Sequence, residues 1–370
     1  MLVRFVLSEF RRAFTAAAKA AAKKGMKDIL RKVHVRVSPG AAVFTGSDGE
    51  IHVTSTVVGV GTDGHGGAFL LPAERVGAIL QTLDTEEIAI RVDGTSVQVS
   101  TDGAKFKLAT ESPDEFPTEY DVDNVCEFEI SAKELLEAIR RTSFCCDVDS
   151  TRYALGGVLF VVEHGSLVLV STDTRRLSKV VAGQVSGMSG EMPSRSVVVQ
   201  KRALEMLSGV FTESDTVRLL VGNNRVSFES GAATVACMQV EGRFPKYKDV
   251  MPSKYGTQIE IPIDPFHSAI RSILTIASAE SRSVRLKFWE NELQFFEEVT
   301  DIGSAEVKMP IAYDGVRIEI TVDAKYIGEF FPRVRAHETF VLCFTDAQSC
   351  IELRNETETF RYIVMPLSGE

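Results

Sequence analysis

Phe128-Glu-Ile-Ser-Ala-Lys-Glu-Leu-Leu-Glu-Ala-Ile-Arg-Arg141 and Ile259-Glu-Ile-Pro-Ile-Asp-Pro-Phe-His-Ser-Ala-Ile-Arg271 follow one plan, a short alternating strand that runs into a helix ending in arginine. Phe5-Val-Leu-Ser-Glu-Phe-Arg-Arg-Ala-Phe14 is a looser copy. Strand and helix place apolar residues at different periods, and each stretch switches from one to the other. Ser131 and Asp264 stand where a side-chain oxygen could take an orphan amide of the first turn, so both are expected N-caps.

A second strand–helix unit also recurs three times, at Phe69–Leu80, Val197–Leu207 and Ile318–Phe330. A third unit closes each copy: Glu115-Phe-Pro117, Arg243-Phe-Pro245 and Val364-Met-Pro366. Self-similarity at the size of a domain predicts a repeat architecture. Between the helices lie short alternating runs such as Ile51-His-Val-Thr54, Val97-Gln-Val-Ser100 and Arg225-Val-Ser-Phe228. These read as half-buried antiparallel strands. The fold class is therefore α+β, three repeated domains of antiparallel sheet with two helices each. Polar linkers put the boundaries at residues 1–124, 125–254 and 255–370. The last apolar run, Tyr362 to Leu367, stops at Pro366 and is expected to leave Met365, Pro366 and Leu367 at a surface.

A chain of 370 residues with 44% hydrophobic and 25% charged residues is that of an ordinary globular protein. It has no apolar run of membrane-spanning length and no signal-peptide pattern, so a cytoplasmic location is expected. The six cysteines show no zinc spacing, and no metal or cofactor is expected. The net charge of −10 is unevenly spread. Residues 11–32 hold eight basic residues against Asp28 alone, leaving 33 basic and 50 acidic elsewhere, a balance of −17. A local positive stripe on an acidic body is an electrostatic footprint for a polyanion.

Thr172-Asp-Thr-Arg-Arg-Leu177, Glu241-Gly-Arg-Phe-Pro-Lys-Tyr247 and Tyr362-Ile-Val-Met-Pro-Leu367, set in three repeats, resemble the bacterial DNA polymerase III β subunit family, the sliding clamps. The resemblance spans the chain and implies a non-enzymatic ring, two chains joined head to tail around duplex DNA. Implied partners are double-stranded DNA read without sequence preference, the DNA polymerase III α subunit, the clamp loader and other clamp-binding-motif proteins. The DNA-facing residues would be Lys19, Lys23, Lys24, Lys27, Arg140, Arg141, Arg152, Tyr153, Lys201 and Arg271. A partner-peptide pocket would draw on Leu155, Thr172, Thr174, Arg175, Arg176, Leu177, Pro245, Tyr247 and Val250 from the central domain. The third domain would add Asp323, Tyr326, Ile363, Val364, Met365, Pro366 and Leu367. Ring closure would use Phe106, Leu108, Ile273, Leu274 and Ile276. The chain departs from the family pattern at Thr174, Arg175, Asp249, Ser281 and its Ser368–Glu370 tail.

Two other readings compete. An enzyme would need a constellation, and there is no G-x-S-x-G, P-loop or H-E-x-x-H. The glycine-rich Gly59–Gly67 lies between strand patterns and reads as a hairpin loop rather than a phosphate cradle. The departures in the pocket favour a second alternative, a divergent clamp serving a specialised polymerase or mobile element.

Overall fold

The computed structural model describes residues 1–22, 27–64, 66–118, 120–123, 125–150, 154–193, 196–213, 215–277, 282–300, 302–334 and 339–367. Its helices are α1 (Leu7–Ala18), α2 (Ala73–Thr82), α3 (Ala132–Thr142), α4 (Lys201–Leu207), the single turn α5 (Tyr247–Val250), α6 (Ile263–Leu274) and α7 (Ala324–Gly328). Each repeated strand–helix unit of the sequence is present. In α1, Leu7, Phe10, Phe14 and Ala17 face inward, and in α6, Ile263, Phe266, Ile270 and Ile273 do the same. These stripes bury one face of each helix against sheet. Phe10 meets Phe5 and Phe44 edge-on at 5.1 and 5.3 Å, and Phe266 meets Phe295 and Phe340 at 4.9 and 5.2 Å. Asp264 is not an N-cap. Pro262 holds that position, and Asp264 lies inside the first turn.

The chain forms two compact units, residues 1–136 with 183–241 and residues 137–182 with 242–370. The first holds one antiparallel sheet running Ser186–Gly190, Cys126–Ser131, Thr216–Val221, Arg225–Ser230, Ala233–Met238, Ile51–Thr62, Leu2–Val6, Glu87–Asp93, Ser96–Ser100 and Lys105–Ala109. Lys32–Ser38, Gly40–Ser47 and Gly67–Pro72 branch from it. Ile51–Thr62 and Gly67–Pro72 pair with other strands and not with each other, so the glycine-rich segment is a crossover, not the expected hairpin.

In the second unit, strands run Gly157–Glu163, Ser166–Thr172, Arg176–Gln184, Phe360–Val364, Ile351–Arg354, Thr339–Phe344 and Thr257–Pro262. A separate four-stranded sheet runs Gly303–Pro310, Glu292–Val299, Ser283–Trp289 and Ile318–Asp323.

The repeats are joined twice in the same way. Ile51–Thr62, the third strand after α1, pairs with Ala233–Met238, the last strand of the central repeat. Arg176–Gln184 pairs with Phe360–Val364, the last strand of the third repeat. One member of each kind is left over, Lys105–Ala109 and Gly303–Pro310, and each ends its sheet. The hairpin bonds Thr101 N to Ala104 O and Thr110 N to Thr95 O fix the alternation beside Lys105–Ala109. Phe106 and Leu108 then bond inward, and Lys105, Lys107 and Ala109 turn their amides and carbonyls to the open edge. The bond from Ile311 N to Asn291 O similarly leaves Ser304, Glu306 and Lys308 facing outward.

Two buried histidines lie where the linker after the first repeat packs on its sheet. His34 stacks on Phe116 at 5.4 Å and His52 on Tyr120 at 5.3 Å, and neither Nδ1 has a hydrogen-bond partner among the described residues. Burial, helped by the nearby charges of Arg36 and of His34 itself, holds both pKa values down at about 4. The unfolded chain takes up these protons near pH 6.5 and the folded chain only near pH 4. Stability is therefore full above pH 6.5 and falls as pH drops toward 4. Thermal melts should show this decline, and a His34→Gln/His52→Gln variant should flatten it.

Candidate functional site

The basic stripe is not one helical face. Arg11 and Arg12 lie on α1, which ends at Ala18, and Asp28–Arg31 is a 3-10 turn. Several of its cations are used by the fold. Arg11 donates to the Leu80 and Leu83 carbonyls at the end of α2, Arg12 pairs with Glu9, Arg31 with Asp28, and Lys32 with Glu111. Among the expected DNA contacts, Lys19 is half-buried at the C-cap of α1, where burial lowers its pKa. Lys27 is exposed just before the 3-10 turn. Lys201 opens α4 and reaches Glu205 at 3.9 Å. Arg271 is exposed in the last turn of α6, beside Ser268, Ser272 and Thr275. Lys23, Lys24, Arg152 and Tyr153 lie outside the described residues, as do Ser281 and the Ser368–Glu370 tail.

Two further expected DNA contacts have partners within the chain. Arg141 is partly buried, pairs with Glu137 at 2.8 Å, donates to the Arg333 carbonyl and lies over Phe360. Arg140, more exposed, gives its guanidinium to the Pro332 and Arg333 carbonyls. Both fasten the end of α3 to the segment after α7. Their physical reason is local: backbone carbonyls at Pro332 and Arg333 would otherwise lack these donors.

Some of the expected peptide-pocket residues meet within the second unit. Arg176 is its hub. Its Nε meets Asp173 Oδ2 at 2.8 Å, Nη1 meets Glu329, and Nη2 donates to the Phe144 carbonyl at 3.0 Å. The guanidinium also lies 4.4 Å from the centre of the Tyr326 ring. Asp323 caps α7 through the Lys325 and Tyr326 amides. The Arg176–Val364 and Leu177–Ile363 pairs lock the last strand in place. Beyond it, the Met365 amide donates to the Arg175 carbonyl and the Leu367 amide to the Thr321 carbonyl, both at 2.8 Å.

This arrangement splits the expected set. Leu155, Thr172, Leu177, Tyr247, Ile363 and Val364 are buried, and Arg176 is mostly so. Thr174, Arg175, Val250, Met365 and Leu367 are exposed, with Pro245, Asp323, Tyr326 and Pro366 between the two classes. Val250, Met365 and Leu367 are 53%, 42% and 37% exposed, an unusual amount for large apolar residues. Asp249 is exposed on α5 beside Val250. The Met-Pro ending is not equivalent to the two Phe-Pro endings. Met365 directly follows its strand, whereas Phe116 and Phe244 come several residues after Ala109 and Met238.

For ring closure, Phe106 and Leu108 are half-buried on the open strand Lys105–Ala109, and Leu274 and Ile276 are half-buried near the end of α6. Ile273 is corrected: it has no exposed surface and belongs to the core beneath α6.

Sequence reasoning missed the buried clasp at Glu352. Arg361 Nε and Nη2 take its two oxygens at 2.9 and 2.7 Å, and the Tyr255 hydroxyl donates at 2.6 Å. Arg361 also reaches the Pro252 carbonyl, tying the linker before the third repeat to its sheet. The signal was the i, i+9 spacing of Glu352 and Arg361, which carries no meaning until the strands pair.

The five cysteines Cys126, Cys145, Cys237, Cys343 and Cys350 are buried and Cys146 half-buried; all are free thiols. No cluster of metal-ligating side chains occurs among the described residues. No helix among them is long and apolar enough to cross a membrane.

Comparison with known proteins agrees with this geometry. Profiles of the DNA polymerase III beta subunit N-terminal, central and C-terminal domains match residues 5–121, 129–246 and 248–368. The beta sliding clamps of Haemophilus influenzae and Escherichia coli K12 are 26% and 27% identical over 342 residues, covering 92% of each chain. In structure the chain is similar to the sliding clamp of Pseudomonas aeruginosa, with a TM-score of 0.93 at 22% identity. It is also similar to the DNA polymerase III beta subunit of Thermotoga maritima, with a TM-score of 0.90 at 23% identity. Both comparisons cover 100% of each chain. With all three domains matched in order, the chain belongs to the DNA polymerase III β subunit family.

Proposed function

We propose that the protein is a sliding clamp: two copies close head to tail around duplex DNA and tether the replicative polymerase and other partners to it. The observation that carries this reading is the pair of leftover strands. Both internal joins unite a third strand with a last strand, and the unused third strand and last strand are Gly303–Pro310 and Lys105–Ala109. A second copy supplies each with the partner it lacks, giving six joins of one kind around the ring and no unpaired edge from this set. Heterologous contacts that close in this way make rings rather than filaments.

Such a ring needs no active site. Lysines and arginines facing phosphates attract DNA irrespective of sequence, and the attraction weakens steeply with salt. Without base contacts nothing fixes register, so the ring slides. Lys19, Lys27, Lys201 and Arg271 are the described cations assigned this role, with Lys23, Lys24, Arg152 and Tyr153 assigned by resemblance. The exposed Val250, Met365 and Leu367 are the docking surface for partner peptides, among them those of the polymerase α subunit and the clamp loader.

The test is retention on DNA. Clamp loaded on a nicked circle should co-elute with it through gel filtration at a salt concentration that abolishes simple binding. Linearising the circle should release it. Equal retention on linear and circular DNA would reject encirclement.

A further inference from the structure

Among the described residues, the docking surface carries an exposed cation that the fold does not use, Arg175. Charge around the turn Thr172–Leu177 is otherwise satisfied within the chain. Asp173 Oδ1 accepts the Arg175 and Arg176 amides at 3.0 and 2.9 Å, while Oδ2 takes the Arg176 guanidinium. Arg176 continues to Glu329, which Lys325 also approaches at 3.8 Å. Glu163, near Tyr247, holds Lys179 and Lys248. The Arg175 side chain, by contrast, is exposed and has no hydrogen bond or ion pair among the described residues.

Its place is nevertheless set by the backbone. Thr174 adopts a φ of 76°, a left-handed conformation unfavourable for a β-branched residue. Its amide is held by Thr172 Oγ1 at 3.0 Å, and the next carbonyl, that of Arg175, is held by the Met365 amide. A tight turn anchored at both ends thus presents a cation directly beside exposed Met365. Holding strain at a binding turn is common where the turn positions a recognising group.

We propose that Arg175 makes this surface selective for peptides that carry a carboxylate beside the apolar side chains seated on Met365, Leu367 and Val250. The inference rests on the docking reading above and adds the partner's chemistry to it. A guanidinium presents a planar fork that matches a carboxylate in two parallel hydrogen bonds, which a lysine does not. A pair at the rim of an interface contributes modestly, roughly three- to five-fold in affinity, and it is screened by salt.

Fluorescence anisotropy with labelled peptides tests this, the peptides sharing leucine and phenylalanine anchors and differing only in Asp, Asn or Lys beside them. The full-length protein should bind the Asp peptide several-fold tighter than the Asn peptide, and the Lys peptide weakest. The preference should shrink at high salt and disappear in Arg175→Gln, whose thermal midpoint should match the parent. Equal binding of the three peptides, all lost in Met365→Asp, would overturn charge selection and leave docking intact. A preference that survives in Arg175→Gln would also overturn it. No binding of any peptide would overturn the docking reading and the selection with it.

Discussion

Replacing Lys107 with proline is expected to convert the protein from a dimer to a monomer and to abolish retention on circular DNA. Lys107 sits mid-strand on the open edge, and the alternation of its hairpin directs its amide outward. Proline removes that one donor and places a ring where a second strand must approach. The inward bonds of Phe106 and Leu108 are untouched, so the first repeat should keep its fold. In a head-to-tail dimer the same strand serves both interfaces, so one substitution acts twice. Sedimentation should report a mass near the chain's 40.6 kDa instead of twice that. Lys308→Pro on the opposing edge should do the same. An unaltered dimer in both variants would mean that other surfaces close the assembly.

Glu352→Ala is expected to be the most destabilising single change described here, costing about 3–5 kcal/mol in chemical denaturation. The carboxylate has no exposed surface and is held by Arg361 and Tyr255. Removing it strands a partly buried guanidinium and an unpaired hydroxyl, and leaving a charge without its partner is what makes such changes severe. Replacing the pair together, Glu352→Leu with Arg361→Met, should cost much less, because no orphan charge remains. A small loss in Glu352→Ala would show that the clasp is not a main support of the third repeat's linker.

The repeats were readable because burial follows period. The strand–helix units at Phe5, Phe128 and Ile259 announce themselves by apolar spacing, and the same spacing places Ile273 in the core. Phe266, Ile270 and Ile273 fall at i, i+4 and i+7, so assigning Ile273 to an interface went against the helix's own stripe. Charge was less legible. Arg140 and Arg141 look like any exposed basic pair until the carbonyls of Pro332 and Arg333, about 190 residues away, are brought to them. Arg11 is engaged in the same way by the Leu80 and Leu83 carbonyls at the end of α2. A cation's position in the sequence does not say whether solvent, phosphate or a carbonyl will meet it.

The docking surface divides along similar lines. Tyr362 to Leu367 reads from sequence as a strand that stops at Pro366, which leaves Met365, Pro366 and Leu367 outside the pairing; Met365 and Leu367 are exposed and Pro366 is half-buried. The Arg176 hub did not show, because Arg176, Glu329 and Tyr326 come together only when Arg176–Gln184 pairs with Phe360–Val364. Likewise the glycine-rich Gly59–Gly67 looked like a hairpin, since neighbours in sequence usually pair, yet its two flanking strands find other partners.

Hydrogen–deuterium exchange of the two leftover strands as protein concentration is varied tests the ring most directly. Pairing between copies predicts that the outward amides of Lys105, Lys107 and Ala109, and of Ser304, Glu306 and Lys308, slow together as the dimer forms. They should reach the protection of the internal joins at Ala233–Met238 and Phe360–Val364. Exchange at these amides that stays fast, and independent of concentration, in a protein sedimenting as a dimer would contradict closure through these edges.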